Sequence, residues 1–158
     1  AVVAFVTVAW QGQPGFSHDL LTWFQVGDLV VSYGLLVDKL TVTMMLVVTV
    51  VSAMVHLYAW GYMAHDPHKA RFFSYLGLFT FVMLVLVTSN NLVQLFMGWE
   101  GVGLASYLLI GFWRERDSAN AAAMKAFIVN RVADAGLLLG MATLVATMGS
   151  LHFADIFA

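Results

Sequence analysis

The stretch LTVTMMLVVTVVSAMVHLYAWGYM, Leu40 to Met63, contains no Asp, Glu, Lys or Arg. At ~1.5 Å per residue, ~20 apolar residues are enough to cross the ~30 Å hydrocarbon core of a bilayer, so this segment predicts a membrane-spanning helix. Working outward, Phe72 to Thr88, Leu92 to Trp113 and Ala121 to Thr147 are long and apolar enough to do the same. Residues 1–10 are also apolar but only about half the ~20 that a crossing needs, so they read as a helix stub, the end of a longer helix. No basic n-region precedes Ala1, as a secretory signal would require. The expected fold class is therefore all-α: one polytopic transmembrane helix bundle across residues 1–158, with four full spans and the stub.

Composition agrees. Of 158 residues, 61% are hydrophobic and 10% charged, with a mean hydropathy of +0.87. A soluble domain of this size could not cover so much apolar surface. Seven Lys and Arg against nine Asp and Glu leave a formal charge of −2, too little basic field for nucleic acid. The chain has no cysteine, which removes disulfides, zinc thiolates, iron–sulfur ligation and cysteine catalysis together. Phosphate loops, nucleophile elbows and zinc-protease helices are also absent from the sequence, so no metal or cofactor site is expected in this chain.

Residues 11–37 form a polar connector, and the runs around Gly27-Asp28 are rich in aromatic and β-branched residues. They predict a small extramembrane β-hairpin with a type II′ turn, because Gly at the first central position accepts φ > 0. The other connectors are His65 to Lys69, Ser89 to Asn91, and Arg114 to Ser118. Lys69, Arg71, Arg114 and Arg116 fall in or beside the second and fourth connectors, while residues 11–37 and the third contain no Lys or Arg. The positive-inside rule thus places His65 to Lys69 and Arg114 to Ser118 on the cytoplasmic or matrix side. The hairpin, Asn90-Asn91 and residues 151–158 face the other side. Tyr58, Trp60, Tyr62, Phe112 and Trp113 at the span ends read as an interfacial aromatic belt. His65 and His68 read as solvent-facing loop residues.

The costly residues are the ionisable ones inside the spans. Glu100 lies about nine residues into the third span, roughly 13 Å deep, where a charge costs about 2.5 to 3.5 kcal/mol on insertion scales. Gly98, Gly101, Gly103, Ala105 and Ser106 surround it, allowing close approach by a helix or water. The fourth span holds Lys125, Asn130, Arg131 and Asp134. Arg131 and Asp134 are three apart, on one helix face, where an ion pair lowers the burial cost of both. Lys125 points to a different face and needs another partner. Because Lys shifts its pKa readily when buried and Arg stays charged, Lys125 either exchanges protons or snorkels to the nearby cytoplasmic interface, and Arg131 is the candidate for a fixed tuning charge. His56, near the end of the first span, is a residue type suited to carrying protons at physiological pH, and either passes protons or is held by a local hydrogen bond. Gly136 and Gly140 form a GxxxG packing motif.

These residues carry a resemblance. Asp38-Lys39-Leu40-Thr41, His56 with Tyr58 to Met63, Met97-Gly98-Trp99-Glu100-Gly101-Val102-Gly103, Ser106 to Trp113, and Ala123 to Asp134 closely resemble the antiporter-like membrane subunit L, or chain 5, of proton-pumping NADH:quinone oxidoreductase, respiratory complex I. The likeness extends from about Trp23 onward. Ala133 stands where the family usually has glycine, a small-for-small change. The resemblance implies that Glu100 is the membrane glutamate of a proton channel, with Lys125, Arg131 and Asp134 in its charged set. It also implies that a lysine on the next helix, beyond this chain, pairs with Glu100. NADH, FMN, iron–sulfur clusters and quinone would reside in partner membrane and peripheral subunits, and the setting would be the bacterial cytoplasmic or mitochondrial inner membrane. Subunits of multisubunit cation/proton antiporters share Trp99-Glu100 but usually lack the Gly-Val-Gly that follows, and they remain the alternative, beside a structural membrane module without its own transport.

Overall fold

The polar knot at one end of the bundle explains how the hairpin is held. The computed structural model describes residues 1–12, 14–27 and 29–157. A helical stub, α1 (Val2–Ala4) continued by a π-helical turn (Phe5–Trp10), leads into strands β1 (Phe16–Val26) and β2 (Leu29–Val37). Helices α2 (Lys39–Tyr62), α3 (Lys69–Val87), α4 (Leu92–Ile110) and α5 (Asp117–Met148) follow, and a short α6 (Phe153–Ile156) closes the chain. All four long helices are apolar enough and long enough to cross a membrane. The expected spans therefore stand, with ends moved by a few residues. The largest change is at α5, whose 32 residues reach about 48 Å, so part of it projects beyond a ~30 Å core.

The sequence sets the boundaries through local chemistry. Asp38 caps α2 by accepting from Thr41 N at 2.7 Å, and Asn91 caps α4 by accepting from Gln94 N at 2.9 Å. Gly149 ends α5 with φ +72°, a left-handed conformation that costs Gly little. In the hairpin Gly27 has φ +59°, as the expected turn requires, and Val26 pairs with Leu29 across it. Asp28, the other half of that turn, lies outside the described residues. The strands are longer than the two short runs expected, and two register shifts, between Asp19 and Leu21 and between Thr22 and Phe24, bend the ribbon.

Strand β1 is exposed throughout, and β2 docks the hairpin on the bundle through buried Val31, Ser32 and Gly34. The Gln94 side chain grips Gly34 twice, accepting from its N–H at 2.9 Å and donating to its C=O at 3.0 Å. Any side chain at Gly34 would collide with the Asn90 amide. Asn91 donates to Ser32 O at 2.7 Å, and Asn90 donates to Asp19 at 2.6 Å. That donor stabilises the ionised form, holding Asp19 below the ordinary carboxylate range. Ser89, Asn90, Asn91 and Gln94 are all buried. Leu92 N donates to Leu151 O at 2.9 Å and Phe153 N to Asn90 O at 3.1 Å, tying the α6 segment to the same knot.

At the opposite end, the Arg71 side chain donates to Phe112 O at 3.2 Å and Arg114 to the Tyr75 hydroxyl at 3.4 Å. Loops 63–68 and 111–116 are thus neighbours. The alternation of connectors read from the sequence is reproduced: hairpin, Asn90-Asn91 and residues 151–157 at one end, the Lys- and Arg-bearing connectors at the other. Packing runs through α2, α3, α4 and α5 in chain order, with the α3–α4 seam the most extensive. Gly98 and Gly101 explain that closeness, since a Cβ would come within 2.7 Å of the Leu86 backbone or within 2.8 Å of Val82. Gly136 and Gly140 meet nothing within 4 Å among the described residues, so the expected GxxxG contact is not made within this chain.

The topology is testable because the chain has no native cysteine. Asp66→Cys and Gln25→Cys, each introduced singly, should be labelled by a membrane-impermeant maleimide from opposite faces, with Asp66→Cys reached from the cytoplasmic or matrix side. Labelling from one face for both contradicts the arrangement.

Candidate functional site: a charge cluster on the α4–α5 seam

On α4, Gly98 and Gly101 face α3, and the helical period turns Trp99 and Glu100 away from that contact towards α5. Arg131 of α5 reaches across the seam and forms an ion pair with Glu100 Oε2. The same guanidinium nitrogen lies 3.4 Å from Asp134 Oδ2. The expected i, i+3 pair is therefore present, and it is half of a larger arrangement in which one cation is shared between carboxylates on two helices. The other Asp134 oxygen accepts from the Trp99 indole N–H at 3.0 Å. Arg131 also lies 4.6 Å from the Phe127 ring centroid, and that ring packs against Tyr107.

Burial is graded across the cluster. The Asp134 side chain is 7% exposed, Glu100 23% and Arg131 42%. Asp134 is thus the most enclosed group and is satisfied from two sides. Gly103 lets Asn130 approach, with room for a Cβ at 3.5 Å from the amide, and Gly111 packs over Ala123 at the end of the same seam. Of the small residues flagged around Glu100, Gly98 and Gly101 serve the α3 contact and Gly103 the α5 contact.

Two candidates are not brought into the cluster. Lys125 is exposed and, among the described residues, makes no ion pair, consistent with its different helix face. His56 sits on the α2–α3 seam. Its Nδ1 is 2.8 Å from Ser52 O, a contact that needs the proton on Nδ1, and its ring packs against Phe73 with centroids 5.9 Å apart. The Ser52 and Thr80 hydroxyls meet at 2.7 Å, and Thr80 donates to Leu76 O at 3.0 Å, so Ser52 donates across the seam. The local hydrogen bond, one of the two expectations for His56, is present. His65 and His68 are exposed. Among the described residues no group of three or more His, Cys, Asp or Glu side chains could hold a metal ion.

Sequence reasoning missed two features. Trp99 was part of the resemblance but had no role, although a donor-only indole beside an intramembrane Glu was a signal. The Glu100–Arg131 contact joins two helices, and no spacing along either one reveals it.

A membrane helix bundle organised around an acidic residue in one span and an Arg–Asp set in the next has the character of an antiporter-like transport subunit. Comparison with known proteins narrows this class. Residues 23–73 match the family model of the N-terminus of chain 5 of NADH-ubiquinone oxidoreductase (complex I), and residues 89–158 match the transmembrane model shared by NADH:quinone oxidoreductase and Mrp antiporters. The chain is 58% identical to NADH-quinone oxidoreductase subunit L of Rhodobacter capsulatus, over 88% of this chain and 20% of that protein. It is 57% identical to NADH-ubiquinone oxidoreductase chain 5 of Dictyostelium discoideum, over 86% of this chain and 20% of the relative. Against chain 5 of Rhizopus stolonifer it is 49% identical, over 100% of this chain and 24% of the relative. The chain thus spans about a fifth to a quarter of the length of these relatives. The fold also matches a chain in the structure of the membrane-bound sulfane sulfur reductase, an archaeal respiratory membrane complex, with a TM-score of 0.66 at 17% identity, over 98% of this chain and 24% of that one. The chain belongs to the subunit L/chain 5 family of antiporter-like complex I membrane subunits.

The shared guanidinium makes a stability prediction. Removing one partner of a buried pair typically costs about 3 to 5 kcal/mol, less here because Arg131 is partly exposed. Arg131→Leu strands two carboxylates and should lower the membrane content of the subunit most. Asp134→Leu alone strands only the Trp99 N–H and part of Arg131. Combining both should lose less than the two single losses together, measured by quantitative immunoblotting of membranes. Strictly additive losses count against the cluster.

Proposed function

We propose that this segment carries part of a proton path in a proton-translocating subunit of NADH:quinone oxidoreductase, with Glu100 as its titrating group and Arg131 as the charge that controls it. The observation that carries the reading is the sharing of one guanidinium by two carboxylates. If both are ionised, one negative charge is uncompensated at membrane depth, and a proton or a further cation must close the balance. An Arg cannot release its own proton, so the exchangeable proton belongs to a carboxylate.

In this reading Asp134, held by Trp99 and Arg131, stays fixed, while Glu100 has Arg131 as its one recorded polar partner among the described residues. Withdrawing Arg131 towards Asp134 favours proton uptake by Glu100, and its return favours release. Lys125 is the next ionisable group along α5, about 9 Å nearer the end that bears Arg114 and Arg116, and would exchange protons on that side. The half-exposed Arg131 cannot face lipid at that depth. The remaining length found in the relatives provides chain to cover it, and the lysine that the family resemblance implies would supply the further cation.

Redox chemistry with NADH, FMN, iron–sulfur clusters and quinone would take place in partner subunits, in the bacterial cytoplasmic or mitochondrial inner membrane. This chain contributes charge movement.

Glu100→Gln keeps shape and hydrogen bonding but removes the titratable proton. In the complete complex it should assemble at normal content while NADH-driven acidification of inverted membrane vesicles collapses, with NADH:quinone turnover falling too. Glu100→Asp should keep part of both, because the acid remains. A packing role predicts the reverse order, with Gln tolerated and Asp harmful. A fully assembled Gln variant that pumps normally refutes the assignment.

A further inference from the structure

At the end opposite the hairpin, the two basic connectors enclose a cavity of about 410 Å³ lined by Asp66, His68, Arg71, Arg114, Glu115 and Arg116, with Phe112 and Trp113 forming its apolar wall. Among the described residues its cations have no carboxylate within ion-pair distance. Arg71 donates to a carbonyl, Phe112 O, and covers the Phe112 ring at 5.0 Å. Arg116 covers Trp113 at 5.0 Å, and Arg114 reaches only the Tyr75 hydroxyl among the side chains. Lys69, beside the cavity, lies 4.1 Å from the Trp60 ring centroid. Among the described residues none of the four is within ion-pair distance of an acid, although Asp66 and Glu115 line the same space. Asp66 is occupied by the His68 N–H at 2.7 Å and by the Trp113 indole at 3.4 Å.

Two further features point to an anion. Arg71 Nε is buried and has no hydrogen-bond partner. The half-buried Arg71 guanidinium thus has donor capacity beyond its one bond to Phe112 O, and an oxygen-rich anion in the cavity would supply further acceptors to it. The 19-residue α3 starts at this cavity with no acidic residue in its first turn; Asp66 accepts the His68 and Lys69 N–H groups, and those of Ala70 and Arg71 have no backbone acceptor among the described residues.

We propose that this cavity binds the phosphodiester headgroup of an acidic phospholipid. Position selects a lipid over free phosphate: the cavity lies at the ends of two spans with Trp113 in its lining, at the level where interfacial aromatics meet headgroups. The phosphate oxygens would accept from Arg71 and Arg114, whose planar forks suit a phosphate, and the acyl chains would run down the apolar flank of α3.

The test uses the full-length subunit in its assembled complex, in nanodiscs of phosphatidylcholine containing a trace of photoactivatable phosphatidylglycerol or photoactivatable phosphatidylcholine. Cross-links from the glycerol lipid should concentrate on residues 66–72 and 112–116 and exceed those from the choline lipid. Unlabelled phosphatidylglycerol should compete, and inorganic phosphate should not. Arg71→Gln with Arg114→Gln should cut the labelling about tenfold at unchanged subunit content. If that variant fails to assemble, Arg114→Gln with Arg116→Gln, both at exposed positions, should cut it severalfold. Equal labelling by both lipids, insensitivity to the substitutions, or competition by inorganic phosphate as strong as by the lipid would each overturn the proposal. Loss of pumping in the Glu100 variants bears on none of these outcomes.

Discussion

One guanidinium between two carboxylates is the contact on which the functional account depends. Arg131 lies on α5, Glu100 on α4 and Asp134 one turn further along α5, so the contact both joins two spans and fixes their charge balance. A charge at this depth survives only when paired, and with both carboxylates ionised the pairing among the described residues would fall short by one positive charge. The cluster is therefore sensitive to any proton or cation that arrives. Trp99 narrows the ways in which the cluster can respond, because its indole N–H occupies one Asp134 oxygen and leaves the other to Arg131.

The rest of the structure positions that contact. Gly98 and Gly101 bring α4 against α3, which turns Trp99 and Glu100 towards α5. The knot of Asn90, Asn91 and Gln94 fixes the N-terminal end of α4 and ties it to the hairpin and to residues 151–157. At the other end, Arg71 ties α3 to the close of α4 through the Phe112 carbonyl. Both ends of α4 are thus held by polar contacts while its middle carries the charge.

Much of this was legible from residue order. Span number, connector alternation, the Gly27 turn and the face shared by Arg131 and Asp134 all follow from hydropathy or helical period, which are properties of neighbouring residues. What escaped was non-local. Asn90 and Asn91 read as a minimal connector, and only the hairpin packed over them shows that they are its anchor. Glu100 and Arg131 lie on different helices, and no periodicity links them. His56 is a further case: its contact with Ser52 O lies one turn back on its own helix, and its place on the α2–α3 seam shows only in the packing.

The central claim is that the charge of Arg131, rather than its bulk, sets the state of Glu100. Its most direct test is the number of protons moved per NADH oxidised in membranes whose complex carries Arg131→Lys or Arg131→Gln. Lysine keeps the charge but reaches one carboxylate at a time, and should retain a substantial part of the native ratio. Glutamine keeps hydrogen bonding without charge, and at comparable subunit content should lower the ratio severely. A Gln variant pumping at the native ratio would contradict the account.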